Sequence, residues 1–127
     1  MSLTSNFKKI SDQLTNFEEI ELIYYTINEE NDKTTITYNV ICNLDNIISN
    51  EKLLKTIVAT RDIIKTLYSK SGIIVDYRIQ SLRDFEENLF DNDEYSFNDD
   101  LSDAQILYSN NELLSSAILK KQAKHTR

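Results

Sequence analysis

Proline is absent from these 127 residues, and glycine occurs once, at Gly72. Glycine is what lets backbone approach phosphate closely and adopt positive φ at little cost. A chain with a single glycine therefore holds neither a Walker-type nor a dinucleotide-binding glycine loop. Cysteine and histidine are equally scarce, with one of each, Cys42 and His125. They cannot make a standard structural zinc site, and His125, in a basic C-terminal run, is not placed as the buried base of a serine or cysteine hydrolase. A lone cysteine closes no internal disulfide; Cys42 stands in an apolar run and reads as a small core residue rather than a nucleophile. No run of eighteen apolar residues and no basic-then-apolar leader is seen, so neither a membrane span nor a secretory signal is expected and the default location is the cytoplasm.

What is present describes a folding chain. Forty per cent hydrophobic residues is ordinary for a soluble protein and 28% charged residues is too low for a wholly disordered acidic chain, and the length suits one domain with one core. Residues 1–119 read as that domain and 120–127 as a basic tail expected to fray. The net charge of −7 argues against general nucleic-acid binding, which needs lysine and arginine to neutralise phosphates. Charge is also segregated: nine acids and no lysine or arginine lie between Asp84 and Asp103, whereas Lys120 to Arg127 is basic. Such asymmetry steers partners of opposite charge, or else marks a solvated loop and tail that contact nothing.

Apolar spacing supplies the layout. Leu3, Phe7, Ile10 and Leu14 recur at helical intervals, with Ser2 or Thr4 as cap. Ile20 to Ile27 and Thr34 to Leu44 are rich in β-branched and aromatic residues and predict two strands of an antiparallel hairpin. The polar stretch Asn28 to Lys33 predicts a turn of four to six residues using asparagine in the left-handed region. Ser49 is placed to cap a long helix whose Leu53, Leu54, Ile57, Val58, Ile64, Leu67 and Tyr68 form one broad apolar stripe. Gly72 suits the positive φ that follows a helix end, and Ile73 to Ile79 alternates as a third strand. A strand, a helix and a strand in succession place the two strands parallel. Ser81-Leu82-Arg83-Asp84 resembles a capping box, Ala104 to Tyr108 a short edge strand, and Asn110 a cap for the last helix. The expected fold is α+β: a small mixed sheet, made of a β-hairpin plus a parallel crossover strand, with helices packed on it in the order α-β-β-α-β-α-(β)-α.

Few residues carry chemistry. Asp91, Asp93, Glu94, Asp99 and Asp100 invite a calcium-loop reading, yet Tyr95 occupies a ligand position, Ser96 the turn glycine and Ser102 the bidentate glutamate. Asp76 stands apart, an acid inside an otherwise apolar strand; either it belongs to a site or it pairs with Arg78 two positions on.

The order of these elements, with Gly72-Ile-Ile-Val-Asp-Tyr, Ser81-Leu-Arg-Asp-Phe-Glu-Glu and Gln105-Ile-Leu-Tyr-Ser, resembles the back half of a minimal nucleotidyltransferase domain over about residues 20–110. The resemblance implies that Asp76 matches the family's third metal-binding carboxylate. The chain departs from the pattern twice: Tyr25-Thr26-Ile27 replaces the Gly-Ser pair, and Thr35-Ile36-Thr37 replaces the Asp-x-Asp pair. Two metal ions cannot be held for phosphoryl transfer without those carboxylates, so the resemblance implies a domain that has lost catalysis and needs no metal or other cofactor.

Three readings follow. The first is a non-catalytic protein acting through protein–protein contact, as an immunity, antitoxin or anti-defence inhibitor does, with Asp91, Asp93, Glu94, Asp99 and Asp100 covering a basic surface of its target. The second is a nucleotidyltransferase-like enzyme with an atypical acid set around Asp76. The third is a self-associating structural domain with Tyr24, Tyr25 and Tyr38 exposed on a sheet face.

Overall fold

In the computed structural model, which describes residues 2–44, 49–91 and 101–125, four strands form one mixed sheet in the order β3-β2-β1-β4. Helix α1 (Leu3–Ser11) precedes β1 (Ile20–Glu30) and β2 (Lys33–Cys42), and α2 (Glu51–Tyr68) leads into β3 (Ile73–Ser81). Helix α3 (Leu82–Asp91), strand β4 (Gln105–Ser109) and helix α4 (Glu112–His125) complete the chain. Strand β1 is antiparallel to β2 and β4, while β2 is parallel to β3. This is the α+β order that the patterning predicts, and the element expected at 104–108 is an edge strand. The segment expected to fray is helical as far as His125, because α4 continues through Lys120 and Lys121.

Local chemistry sets most boundaries. Ser2 caps α1 by accepting the Ser5 amide at 3.1 Å, and Ser81 caps α3 by accepting the Asp84 amide at 3.1 Å. Two caps are displaced by one residue from their predicted places. Asn50, rather than Ser49, accepts the Leu53 amide at 3.0 Å, and its own amide donates to Glu19 at 2.8 Å. Asn111, rather than Asn110, accepts the Leu114 amide, since the Asn110 backbone amide is committed to the Glu21 carbonyl. The hairpin is tighter than expected. Glu30 pairs with Lys33, leaving only Asn31 and Asp32 in the loop, with φ of 51° and 63°. Positive φ at both central residues is the requirement of a type I′ turn, whose twist matches that of the strands.

Gly72 lies beyond the Ser69 cap of α2, in the turn that launches β3, with φ of 80°. A Cβ built there meets nothing within 4 Å, so glycine is needed for its backbone conformation and not for space. Gly72→Ala is expected to cost about 1–2 kcal/mol and Gly72→Asn distinctly less, since asparagine tolerates the left-handed region. Urea midpoints of the two variants check this; equal losses would contradict it.

Both faces of the sheet are covered. On one, α1 and α2 bury Phe7, Ile10, Leu53, Ile57 and Ile64 against Ile23, Tyr25, Ile36, Tyr38, Val40 and Cys42. On the other, α3 and α4 bury Phe85, Leu89, Leu114 and Ile118 against Leu22, Tyr24 and Ile41. Neighbours in sequence thus belong to different cores, which explains why Leu22-Ile23-Tyr24-Tyr25 is continuously apolar instead of alternating. Tyr24, Tyr25 and Tyr38 are 4%, 3% and 0% exposed. That overturns their expected display on an open sheet face.

Candidate functional site: the open polar half of the sheet

The cover on the second face is partial. Its apolar half lies under α3 and α4; the remainder bears Thr26 and Asn28 of β1, Thr37 and Asn39 of β2, and Arg78 and Gln80 of β3. These side chains, together with Tyr24, Ile79 and Leu101, line a depression of about 560 Å³. The register explains the convergence: Tyr24 pairs with Asn39 and Thr26 with Thr37 across the hairpin, while Thr37 faces Asp76 and Asn39 faces Arg78 across the parallel pair. Period-two alternation sends every one of these residues to the same face.

The floor is a hydrogen-bonded amide system. Asn39 is buried at 4% exposure; its side-chain amide donates to the Thr37 carbonyl at 3.2 Å, and its side-chain oxygen accepts from the Gln80 amide at 3.2 Å. At the rim Arg78 Nε donates to Asp76 Oδ2 at 2.8 Å, both side chains being largely in solvent. Asp76 therefore forms the strand-face pair that its spacing from Arg78 suggests. The described residues that line the depression beside it contribute hydroxyls, amides and one guanidinium, and none of them is an acid. The residue opposite it, Thr37, belongs to the triplet Thr35-Ile36-Thr37 that replaces the Asp-x-Asp pair of the nucleotidyltransferase resemblance. Among the described residues no three of His, Cys, Asp and Glu are grouped so as to hold a metal ion.

Of the acids assigned to partner binding, Asp91 ends α3, whereas Asp93, Glu94, Asp99 and Asp100 lie outside the described residues. The structure adds an acidic rim that sequence reading did not single out. Glu18, Glu19, Glu21 and Glu51 surround a second depression, beside Asn43, Ser49 and Asn50. Three of the four carboxylates have structural partners: Glu19 accepts from Asn50, Glu21 from Asn111, and Glu51 pairs with Lys55. No sequence signal points to this rim, because residues 18–21 and 51 meet only through the caps of α2 and α4.

Burial holds Cys42, Tyr38 and Tyr77 in their neutral forms. Burial, with Glu19 nearby, pushes the Cys42 thiol up to about 11, which removes its thiolate at neutral pH and agrees with a core role. Burial raises the Tyr77 hydroxyl to about 12, against a lowering hydrogen bond from Thr60, and raises that of Tyr38 further still. Among the described residues no helix is long and apolar enough to cross a membrane. No protein-family model matches this chain, and no curated protein or solved structure matches it.

Proposed function

We propose that this chain is a non-catalytic protein that works by binding another protein with a basic surface, in the manner of an immunity, antitoxin or anti-defence inhibitor, and that its open sheet face is a vestigial acidic site. The observation that carries the reading is the setting of Asp76. Its carboxylate is held by Arg78 at 2.8 Å, its cross-strand neighbour is a hydroxyl residue, Thr37, and the described residues that line the adjoining depression include no carboxylate. In-line phosphoryl transfer by two metals needs several acids converging on one point. Hydroxyls, amides and a guanidinium suit recognition instead.

Charge supports the class of partner. The acids of residues 84–103 are unrelieved by any lysine or arginine, and Glu18, Glu19, Glu21 and Glu51 add a second acidic rim. Complementary charge raises association rates and suppresses wrong partners. Asp91, Asp93, Glu94, Asp99 and Asp100 are assigned the contact with the target. Affinity capture from the native cell, with wild-type protein and a variant carrying lysine at these five positions, tests the assignment. The wild type is expected to retain a basic protein whose retention falls as salt is raised, and the variant to lose it. Equal capture by both would refute the acidic contact. Calorimetric binding of a nucleotide with magnesium, abolished by Asp76→Asn, would replace the whole reading with the enzymatic one.

A further inference from the structure

Among the described residues the sheet ends on one side at β3, and neither shortness, a bulge, lysine nor proline protects that edge. Natural edge strands are kept short, bulged, or studded with lysine or proline, because a free row of backbone N–H and C=O groups templates pairing with another chain. Strand β3 is nine residues long, pairs with β2 without a register shift, and contains neither lysine nor proline. Its exposed apolar side chains are Ile74 and Ile79, at 54% and 43%. The flank of α2 above the edge is apolar too. Thr60 marks that flank, because its hydroxyl hydrogen bonds with the Tyr77 hydroxyl of β3 at 2.9 Å. Ile63 and Leu67 follow Thr60 at i+3 and i+7, on the same helical stripe, and are 42% and 50% exposed.

We propose that β3 pairs antiparallel with β3 of a second copy of this chain about a two-fold axis at Tyr77, joining two four-stranded sheets into one. The charge pattern of the strand selects both the partner and the register. A two-fold at Tyr77 sets each Asp76 opposite the second copy's Arg78, and each Arg78 opposite its Asp76. Val75 then faces Ile79, and Ile74 faces Gln80. The only two charges on β3 are thereby matched by opposite charges at directly opposed positions, where cross-strand pairs interact most strongly. Shifting the two-fold to Asp76 or to Arg78 would set like charges opposite each other. The same axis places the apolar flanks of both α2 helices on one side of the joined sheet. This interface goes beyond the partner-binding reading and uses none of its five acids.

Light scattering of the full chain at micromolar concentration is expected to give twice the chain mass. Asp76→Arg and Arg78→Asp each place like charges opposite one another twice per dimer, and each is expected to raise the dissociation constant on the order of a hundredfold or more. The double exchange D76R/R78D restores opposite pairing and is expected to restore the dimer. Since the pair is exposed, all three variants remain folded, and circular dichroism checks it. In a separate protein, I74C/Q80C is expected to form a covalent dimer on oxidation. These positions lie roughly 20 Å apart within one strand, too far for an internal bridge. A monomeric wild type at about 100 µM, a double variant no more dimeric than the singles, or failure of I74C/Q80C to cross-link would overturn the proposal.

Discussion

Replacing Phe7 with alanine is expected to lower the free energy of unfolding by about 3–5 kcal/mol, the usual range for a buried phenylalanine truncated in a core that cannot collapse around the gap. Phe7 is fully buried and is the common neighbour of three tyrosines. Its ring lies 5.1 Å from that of Tyr25, 5.5 Å from Tyr38 and 5.7 Å from Tyr68, each edge to face. Those rings reach it from β1, β2 and α2, so one side chain joins the first helix to the hairpin and to the long helix. The tyrosines cannot move into the space freely. Tyr38 is held by a 2.6 Å hydrogen bond to Ser11, and the hydroxyls of Tyr25 and Tyr68 bond with Thr4 and Asn6. Against a total of about 5–15 kcal/mol for a domain, a loss of this size lowers the melting temperature by on the order of 10–20 °C. Phe7→Leu is expected to recover more than half of the loss. A fall below about 1.5 kcal/mol for the alanine variant would show that α1 contributes little to the core.

Above pH 10 the protein is expected to lose stability steeply, after a shallower loss that begins near pH 9, where the unfolded chain releases the proton that burial holds on Cys42. Burial raises the hydroxyls of Tyr38 and Tyr77 above the ordinary value of 10.0, Tyr77 to about 12. With the Cys42 thiol, raised from 9.0 to about 11, the native state therefore keeps three protons that the unfolded chain releases. Stability falls with pH wherever the unfolded state binds fewer protons. The tyrosine contribution is thus fully present below pH 10 and is lost as pH climbs from 10 towards 12. For Tyr77 alone, moving from 10.0 to about 12 corresponds to roughly 2–3 kcal/mol, and Tyr38 adds to it in the same direction. Denaturant midpoints at pH 8, 10 and 11 measure the slope. Tyr77→Phe is expected to flatten it, at some cost at neutral pH because Thr60 loses a partner. Midpoints that coincide at pH 8 and 11, or native tyrosinate absorbance showing all seven tyrosines titrating near 10, would contradict the assignment.

Period and propensity made the sheet legible. Ile36, Tyr38, Val40 and Cys42 recur at period two and share one core, while burial is continuous from Tyr38 to Cys42 because the second face is covered there too. The parallel placement of β3 could be read from the helix between it and β2. Depth was harder to read. Tyr24, Tyr25 and Tyr38 look like candidates for an exposed aromatic face because one strand's sequence does not say how many helices will cover each side of the sheet. The hairpin loop was overestimated because Asn28, Glu29 and Glu30 are polar, although they pair with Thr35, Thr34 and Lys33; β strands that run past the core carry polar residues without ceasing to be strands. The depression was invisible for a different reason. Thr26, Asn39 and Arg78 meet only through registers between three strands, and no local pattern encodes a register. Asp76 was the exception, since its partner stands two residues away on the same face.

The burial of β1 on both sides has a consequence during synthesis, when α1 alone of its covering helices has been made. Leu22-Ile23-Tyr24-Tyr25 is an uncharged, β-prone segment of the kind that stacks between chains when it is left uncovered. It is also the segment with the longest wait, since β4, its partner on one edge, lies some eighty positions further along the chain. The flanking residues Glu18, Glu19 and Glu21 on one side and Glu29 and Glu30 on the other place like charge at both ends of any such stack, where it repels a second copy. In the native protein these five acids are surface decoration and cap partners. In the nascent chain their shared charge opposes stacking of the central strand against a second copy.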